Sequence, residues 1–436
     1  MTTPNPESVR ALHAKAVEDF PHAKAMFDKV FERAEAALET GDPEEWELRA
    51  EALESAVQWA SQQHPPVGPV DSVVNRKPGE KAEVSVYSRE DSYASFPGVY
   101  RTPDKLVLSF GVQPFRALQT WGKHPHEQPL SVSHCAVSTD QGASWEIRTE
   151  CPKGGTVLDT TRTAMPLGDG RWLAAGRTEA IVRRELWGEA EYKGEITDLG
   201  PFPANHAFTV TRAPDNSLLV GSYGPMQDET NRHTCFFLRS RDEGRSWTYA
   251  SQVPNPNIYS FYEPTLFTCN DGRMICMMRS GWEHVPTDQW PPEVRHHTEQ
   301  TPDRMLGSGW FFVQSDSADS GKTWSEPVVT EVWGHPADLM RLRSGAILML
   351  YGHRRPPWSI RAILSFDEGK TWDLDTIRTI KSFEPSERDF GYPLGIHLED
   401  GTILCAYYGY ITDSIELPSP HGIFASLFDE EWLRVE

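Results

Sequence analysis

The pattern Ser-x-Asp-x-Gly-x-Ser/Thr-Trp occurs four times in this chain: Ser138–Trp145, Ser240–Trp247, Ser317–Trp324 and Ser365–Trp372. Each copy has the chemistry of a tight turn. The Asp carboxylate can bend back onto backbone N–H groups, Gly supplies a positive φ, and Trp packs beneath the turn as an anchor. One supersecondary unit therefore recurs along the chain, so the fold must be an array of repeats. The pattern itself reads as structural.

A second repeat defines the unit. A polar turn followed by a hydrophobic strand appears as PDKLVLSF, GDGRWLAAG, PDNSLLVGS, NDGRMICMM, RSGAILMLY and EDGTILCAY, marked by Asp104, Asp169, Asp215, Asp271, Ser344 and Asp400. The markers lie 46 to 73 residues apart. Units of this size, each a small four-stranded sheet around its innermost hairpin, predict an all-β, six-bladed β-propeller over residues 71–436. A strand near Glu83–Ser88 is expected to complete the blade that contains Gly422–Phe428. Residues 6–62 carry no strand pattern. Leu48, Ala52, Leu53, Ala56, Val57 and Ala60 recur there at helical spacing, and Pro65, Pro66 and Pro69 close the region. An N-terminal α-helical segment over 1–70 is expected, either to pack on the propeller or to mediate homo-oligomerisation, the second being favoured.

The formal net charge is −21, from 42 Lys+Arg against 63 Asp+Glu. This balance argues against nucleic-acid and anionic-membrane partners, which need basic patches. No apolar run approaches the ~20 residues of a transmembrane helix. The six cysteines form no CxxC pair, and most sit in apolar runs such as CFFL and MICMM, which reads as buried free thiols. Together with the lack of a basic-then-apolar leader, this gives a cytoplasmic expectation. There is no HExxH or Cys/His cluster, so neither metal nor cofactor is expected.

In a propeller the upstream ends of the inner strands converge on the axis. Counting about eight residues back from each marker reaches Phe96, Thr161, Ala207, Glu263, Pro336 and Tyr392. Ionisable and aromatic groups gather around these positions: Asp159, Arg162, Asn205, His206, Tyr262, Glu263, His335, Asp338 and Tyr392. The long stretches Ala180–Pro203 and Val285–Leu306 read as rims.

On these motifs the chain resembles the sialidase (neuraminidase) superfamily of six-bladed propellers with Asp-box, or BNR, repeats, over roughly residues 84–436. The resemblance implies that Tyr392, in GYPLGIHLEDGTILCAYY, is the nucleophile and that Glu263, in YEPTLFTCNDGRMICMMRS, is its base. A phenol is a weak nucleophile near neutral pH and needs such a carboxylate in contact. Arg279 would bind a substrate carboxylate, with Arg355, preferred over Arg354 and Arg361, as a second arginine. Arg162, His206, His335, Asp338 and Tyr262 complete the expected substrate-binding set. The chain departs from the family at two places. Arg101, in YRTP, stands three residues before Asp104 and so belongs to the hairpin turn, and the loop expected to carry the acid, QTWGKHPHEQP, offers His126 and Glu127 instead. Three functions follow: a sialidase-like exo-glycoside hydrolase on an acidic or decorated glycan, a uronic-acid polysaccharide or oligosaccharide lyase using His or Tyr, and a non-catalytic glycan-binding propeller.

Overall fold

Helix boundaries in the first sixty residues follow directly from capping chemistry. The computed structural model describes residues 4–62, 64–114, 131–227, 232–256, 259–281, 288, 311–383, 389–411 and 420–434. The helix Pro6–Asp19 starts after Asn5, whose side chain accepts from the Glu7 N–H at 2.9 Å. Pro43–Ala60 starts after Asp42, which accepts from Glu44 and Glu45 at 3.0 and 3.1 Å. Both helices begin with proline, whose missing N–H would be unpaired there anyway. Between them, Lys24–Thr40 stops at Gly41, at φ 72°. Phe27, Val30, Leu53, Ala56 and Trp59 share one core with Val84, Tyr93, Val132, Trp145, Leu404 and Ile423. The Trp59 indole also donates to Ser92 Oγ at 3.0 Å. The helices thus cover the chain's own sheets, one of the two roles left open by the sequence.

From residue 82 the protein is antiparallel β-sheet arranged as four-stranded meanders. The first is Ser92–Arg101, Leu106–Pro114, Val132–Ser138 and Glu146–Arg148; the second is Ala164–Pro166, Trp172–Ala175, Glu179–Arg183 and Ala190–Ile196. The third runs His206–Arg212, Leu218–Pro225, His233–Ser240 and Ser246–Gln252, and the fourth Ser260–Thr268, Met274–Gly281, Phe311–Ser317 and Val328–Trp333. A fifth contains Ala337–Arg341, Ile347–His353, Ser359–Ser365 and Asp373–Ser382. The last has Gly391–His397, Ile403–Tyr410 and His421–Phe428, and its outer strand is Ala82–Tyr87, with Ala82 opposite Leu427 and Val84 opposite Ala425. This is the closure expected from the sequence. Residues 180–203, read there as a rim, instead supply two strands of the second meander. Glu179–Arg183 buries only Ala180 and Val182, an alternation too short to stand out among its charged neighbours.

All four Ser-x-Asp-x-Gly turns have the same internal bonding. The Gly N–H donates to the Ser hydroxyl at 2.8–2.9 Å. The Asp carboxylate accepts both the N–H and the hydroxyl of the Ser or Thr before Trp. Two successive residues take positive φ, Glu243 (58°) with Gly244 (91°) and Glu368 (62°) with Gly369 (73°) among them, one more than the sequence implied. Burial alone would raise the Asp242 and Asp319 carboxyls, but these donors outweigh it and bring both down to about 2.

Each turn also leans on the preceding meander. Gly244 faces Leu173, Gly321 faces Leu219, Gly369 faces Ile275, and Gly142 of the first meander faces Leu404 and Leu427 of the last. One correction concerns sulfur. Cys135 and Cys151 form a disulfide with Cα atoms 5.3 Å apart, because the meander folds Cys151, which lies outside any apolar run, back beside Cys135. Cys235, Cys269, Cys276 and Cys405 are buried free thiols.

The glycine contacts can be tested against a matched control. Gly272, at φ 82°, has open space where a Cβ would go, so Gly272→Ala is expected to lose about 1 kcal/mol through backbone strain alone. Gly244→Ala adds a clash with Leu173 and is expected to lose about 2–4 kcal/mol. Urea unfolding of both variants measures the difference, and equal losses would mean that the contact between meanders adds nothing.

Candidate functional site

The inner strands share a backbone device. Phe96, Glu263 and Tyr392 each precede a proline, and their φ angles are 54°, 52° and 50°; Arg162, before Thr163, is at 53°. Pairing registers shift at the same places, between Ser95 and Gly98, Tyr262 and Thr265, and Gly391 and Leu394. Proline cannot donate to the ladder, so the strand bulges there and the bulge re-aims a side chain. A non-glycine residue held at such φ costs on the order of 1–3 kcal/mol, and strain of this kind gathers at functional sites.

Three of these four residues, with Arg279, form one cluster. The Tyr392 hydroxyl donates to Glu263 Oε1. Arg279 Nη1 lies 3.3 and 3.2 Å from the two Glu263 oxygens, and Glu263 is buried. Burial, and after it the Glu263 carboxylate, hold the Tyr392 phenol well above its ordinary pKa. The phenol is therefore neutral near pH 7, with a proton acceptor already in contact. Arg162 lies between two rings, its guanidinium 4.9 Å from the centre of Tyr392 and 4.7 Å from that of Phe208.

Arg354, rather than the Arg355 preferred from the sequence, lies beside Tyr392. Its guanidinium lies 5.6 Å from the Tyr392 ring centre, and it donates to the Phe390 carbonyl at 2.6 Å and the Tyr408 hydroxyl at 3.1 Å. Tyr408 and Tyr93 in turn donate to buried Asp389 at 2.6 and 2.5 Å. Gly391 packs beside the Arg354 head group. Arg355 stacks instead on Trp333 at 4.3 Å, its Nε 3.2 Å from His353 Nε2.

The other expected residues lie around this centre. Asp338 is buried, accepts from the Gly395 N–H at 2.8 Å, and is pushed up to about 6 by burial, with Arg162 working against the shift. His335 is buried with Nδ1 unpartnered. Burial first, then Arg279 and Arg354, keep it well below the ordinary imidazole pKa. His206 stacks on Tyr223 at 5.1 Å; Tyr262 meets Tyr223 edge-on at 5.6 Å, and its hydroxyl is 3.4 Å from His233 Nδ1. His126 and Glu127 lie outside the described residues. Arg101 pairs with Leu106 across the hairpin, as its offset implied, and Phe96 stands at the bulge in the middle of the same strand. Sequence reasoning weighed Arg354 but ranked it behind Arg355, and it did not single out Phe96, Tyr408 or Asp389, which lie around the same centre. A signal existed for Phe96, since its Phe-Pro stands at the same offset as Glu-Pro and Tyr-Pro.

Elsewhere, Cys269, Asp271 and Glu368 gather closely enough to hold a cation. Arg341 already engages both Glu368 oxygens at 2.6 and 2.7 Å, which makes this a structural ion pair.

No family profile matches the chain, and no curated protein matches it. Solved structures do. A protein of unknown function from Dyadobacter fermentans superposes with a TM-score of 0.60 at 18% identity, over 79% of this chain and 97% of that one, which shows a shared fold. A Trypanosoma rangeli sialidase in complex with sialic acid gives 0.48 at 12% identity, over 80% of this chain. The NanB sialidase from Streptococcus pneumoniae gives 0.45 at 10% identity, over 80% of this chain and 70% of that one. The match spans 59% of the trypanosomal enzyme's length.

Asp338 makes a prediction about pH. Its carboxyl is raised from 3.8 to about 6, so its contribution to stability is fully present below about pH 4 and is lost as the pH rises through 6. Asp338→Asn is expected to remove that slope. Urea unfolding of both proteins between pH 4 and pH 7, taken as about the limits of the window, measures it. Parallel profiles would mean that Asp338 ionises freely in the fold.

Proposed function

We propose that the chain is a sialidase-type exo-glycoside hydrolase on a six-bladed propeller, acting on an acidic sugar, with its four turns as Asp boxes. The observation that carries this reading is the hydrogen bond from Tyr392 to Glu263, framed by Arg279 and Arg354. In the proposed reaction Glu263 accepts the phenolic proton while the Tyr392 oxygen attacks the anomeric carbon. A covalent glycosyl-tyrosine forms and the aglycone leaves, protonated by His126 or Glu127. Water then attacks the same carbon, giving its proton to the now deprotonated His126 or Glu127, and the departing phenolate recovers its proton from Glu263. Arg279 and Arg354 hold the sugar carboxylate, and Arg162 over the ring favours the phenolate as it develops. No step calls for a cofactor.

A second reading rests on His335. A buried neutral imidazole with an unpartnered nitrogen could take the proton α to a uronate carboxylate that Arg279 neutralises, which makes the chain a lyase.

Turnover of a panel of fluorogenic uronides and a sialoside separates these readings. Tyr392→Phe keeps the packing but removes the nucleophile, so kcat is expected to fall about a thousandfold or more, with the unfolding midpoint within ~2 °C of the wild type. Retained activity with an ultraviolet-absorbing unsaturated product moves the chemistry to His335. The arginine assignment has its own test. Arg354→Lys is expected to lower kcat/KM about a hundredfold and Arg355→Lys less than about threefold, because a lysine replaces the charge but not the fixed fork of donors. The reverse order returns the role to Arg355.

A further inference from the structure

Three inner strands, and the turn leading into a fourth, present a residue at positive φ, and three of these residues supply groups of the Tyr392 cluster: Arg162, Glu263 and Tyr392 itself. The fourth is Phe96. Its ring meets Tyr392 edge-on at 4.8 Å and Tyr408 at 5.3 Å, which puts it at the same centre. Glu263 is only 6% exposed, whereas 43% of Phe96 is open to solvent. Left-handed backbone disfavours an aromatic residue, and partial exposure forfeits much of what burying a ring contributes. Asn or Gly would suit this backbone better. Fold stability therefore does not account for a phenylalanine at this position, and contact with a ligand does.

We infer that Phe96 is an apolar wall of the site, against which the C–H face of a pyranose sugar acid rests while Arg279 and Arg354 hold its carboxylate. The inference rests on the sugar-acid reading above and adds what that reading lacks, the character of the site at the first meander. The face of an aromatic ring is electron-rich, so it accepts polarised C–H groups and disfavours a second anionic group. The ligand thus has one charged side, met by the guanidinium groups, and one apolar side, met by Phe96.

Equilibrium binding of D-glucuronic acid, followed by ligand-observed NMR, tests this without any need for turnover. Phe96→Ala is expected to weaken binding about tenfold and to abolish saturation transfer to the axial ring protons, while Phe96→Tyr stays within about threefold of the wild type. Thermal unfolding of Phe96→Ala is expected at or above the wild-type midpoint, since removing the ring does not unpack a core. Equal affinity of wild type and Phe96→Ala, equal loss in both variants, or no glucuronate binding by the wild type would each overturn the inference. A Tyr392→Phe variant that still turns over would sink the hydrolase reading alone, because the binding experiment does not depend on that reaction.

Discussion

The arrangement of the sheets depends on the four turns that join them, and at three of these, Gly244, Gly321 and Gly369, a side chain has no room. At each Ser-x-Asp-x-Gly turn the carboxylate and hydroxyl network sets the loop, and the glycine lets the loop close onto a Leu or Ile of the meander before it. The tryptophan completes the joint in two ways. Trp145 and Trp247 donate to the glycine carbonyl of their own turn, at 3.0 and 3.1 Å. Trp324 and Trp372 reach back to Ser251 and Gln314 of the preceding meander, at 3.1 and 3.3 Å. Packed interiors transmit small displacements, so these joints also set where the inner strands end and hence where the side chains of the site meet.

The site lies in a strongly acidic protein yet gathers three guanidinium groups around one phenol. Each has an acid nearby: Arg279 touches Glu263, Arg354 reaches Asp389 through Tyr408, and Arg162 is balanced mainly by Asp338. Buried charge is tolerated only with such compensation. Burial raises the Asp338 carboxyl to about 6. When it is protonated, Arg162 loses its main counter-charge and the cluster becomes more receptive to an anion.

Much of this was legible in the sequence because turns have local signatures. The Ser-x-Asp-x-Gly pattern, the Asp-Gly hairpins and the alternation after them each depend on residues within ten positions. The same holds for Glu263 and Tyr392, which a fixed offset from the hairpin marker reaches. What escaped was set by contacts between distant segments. Arg354 and Arg355 are indistinguishable in sequence, and only the Phe390 carbonyl and the Tyr408 hydroxyl select one of them. Phe96 was reached by the same count but passed over, because an apolar residue reads as packing until its exposure is known. The Cys135–Cys151 bond likewise depends on a fold-back that composition does not encode.

The pairing of Ala82–Tyr87 with His421–Phe428 has a consequence for how the chain reaches this state. These strands are separated by more than three hundred residues, so their contact carries a high loop-closure entropy and is among the most non-local in the molecule. During synthesis the early strand emerges long before its neighbour exists, with its backbone donors and acceptors open to any other extended segment. The helices packed beside it, through Trp59 on Ser92 and the pairing of Val67 with Trp145, can order early because their contacts are closer in sequence. The N-terminal segment and the first meander can therefore be in contact before the last strand is made, and that strand then adds to a core that already has one side.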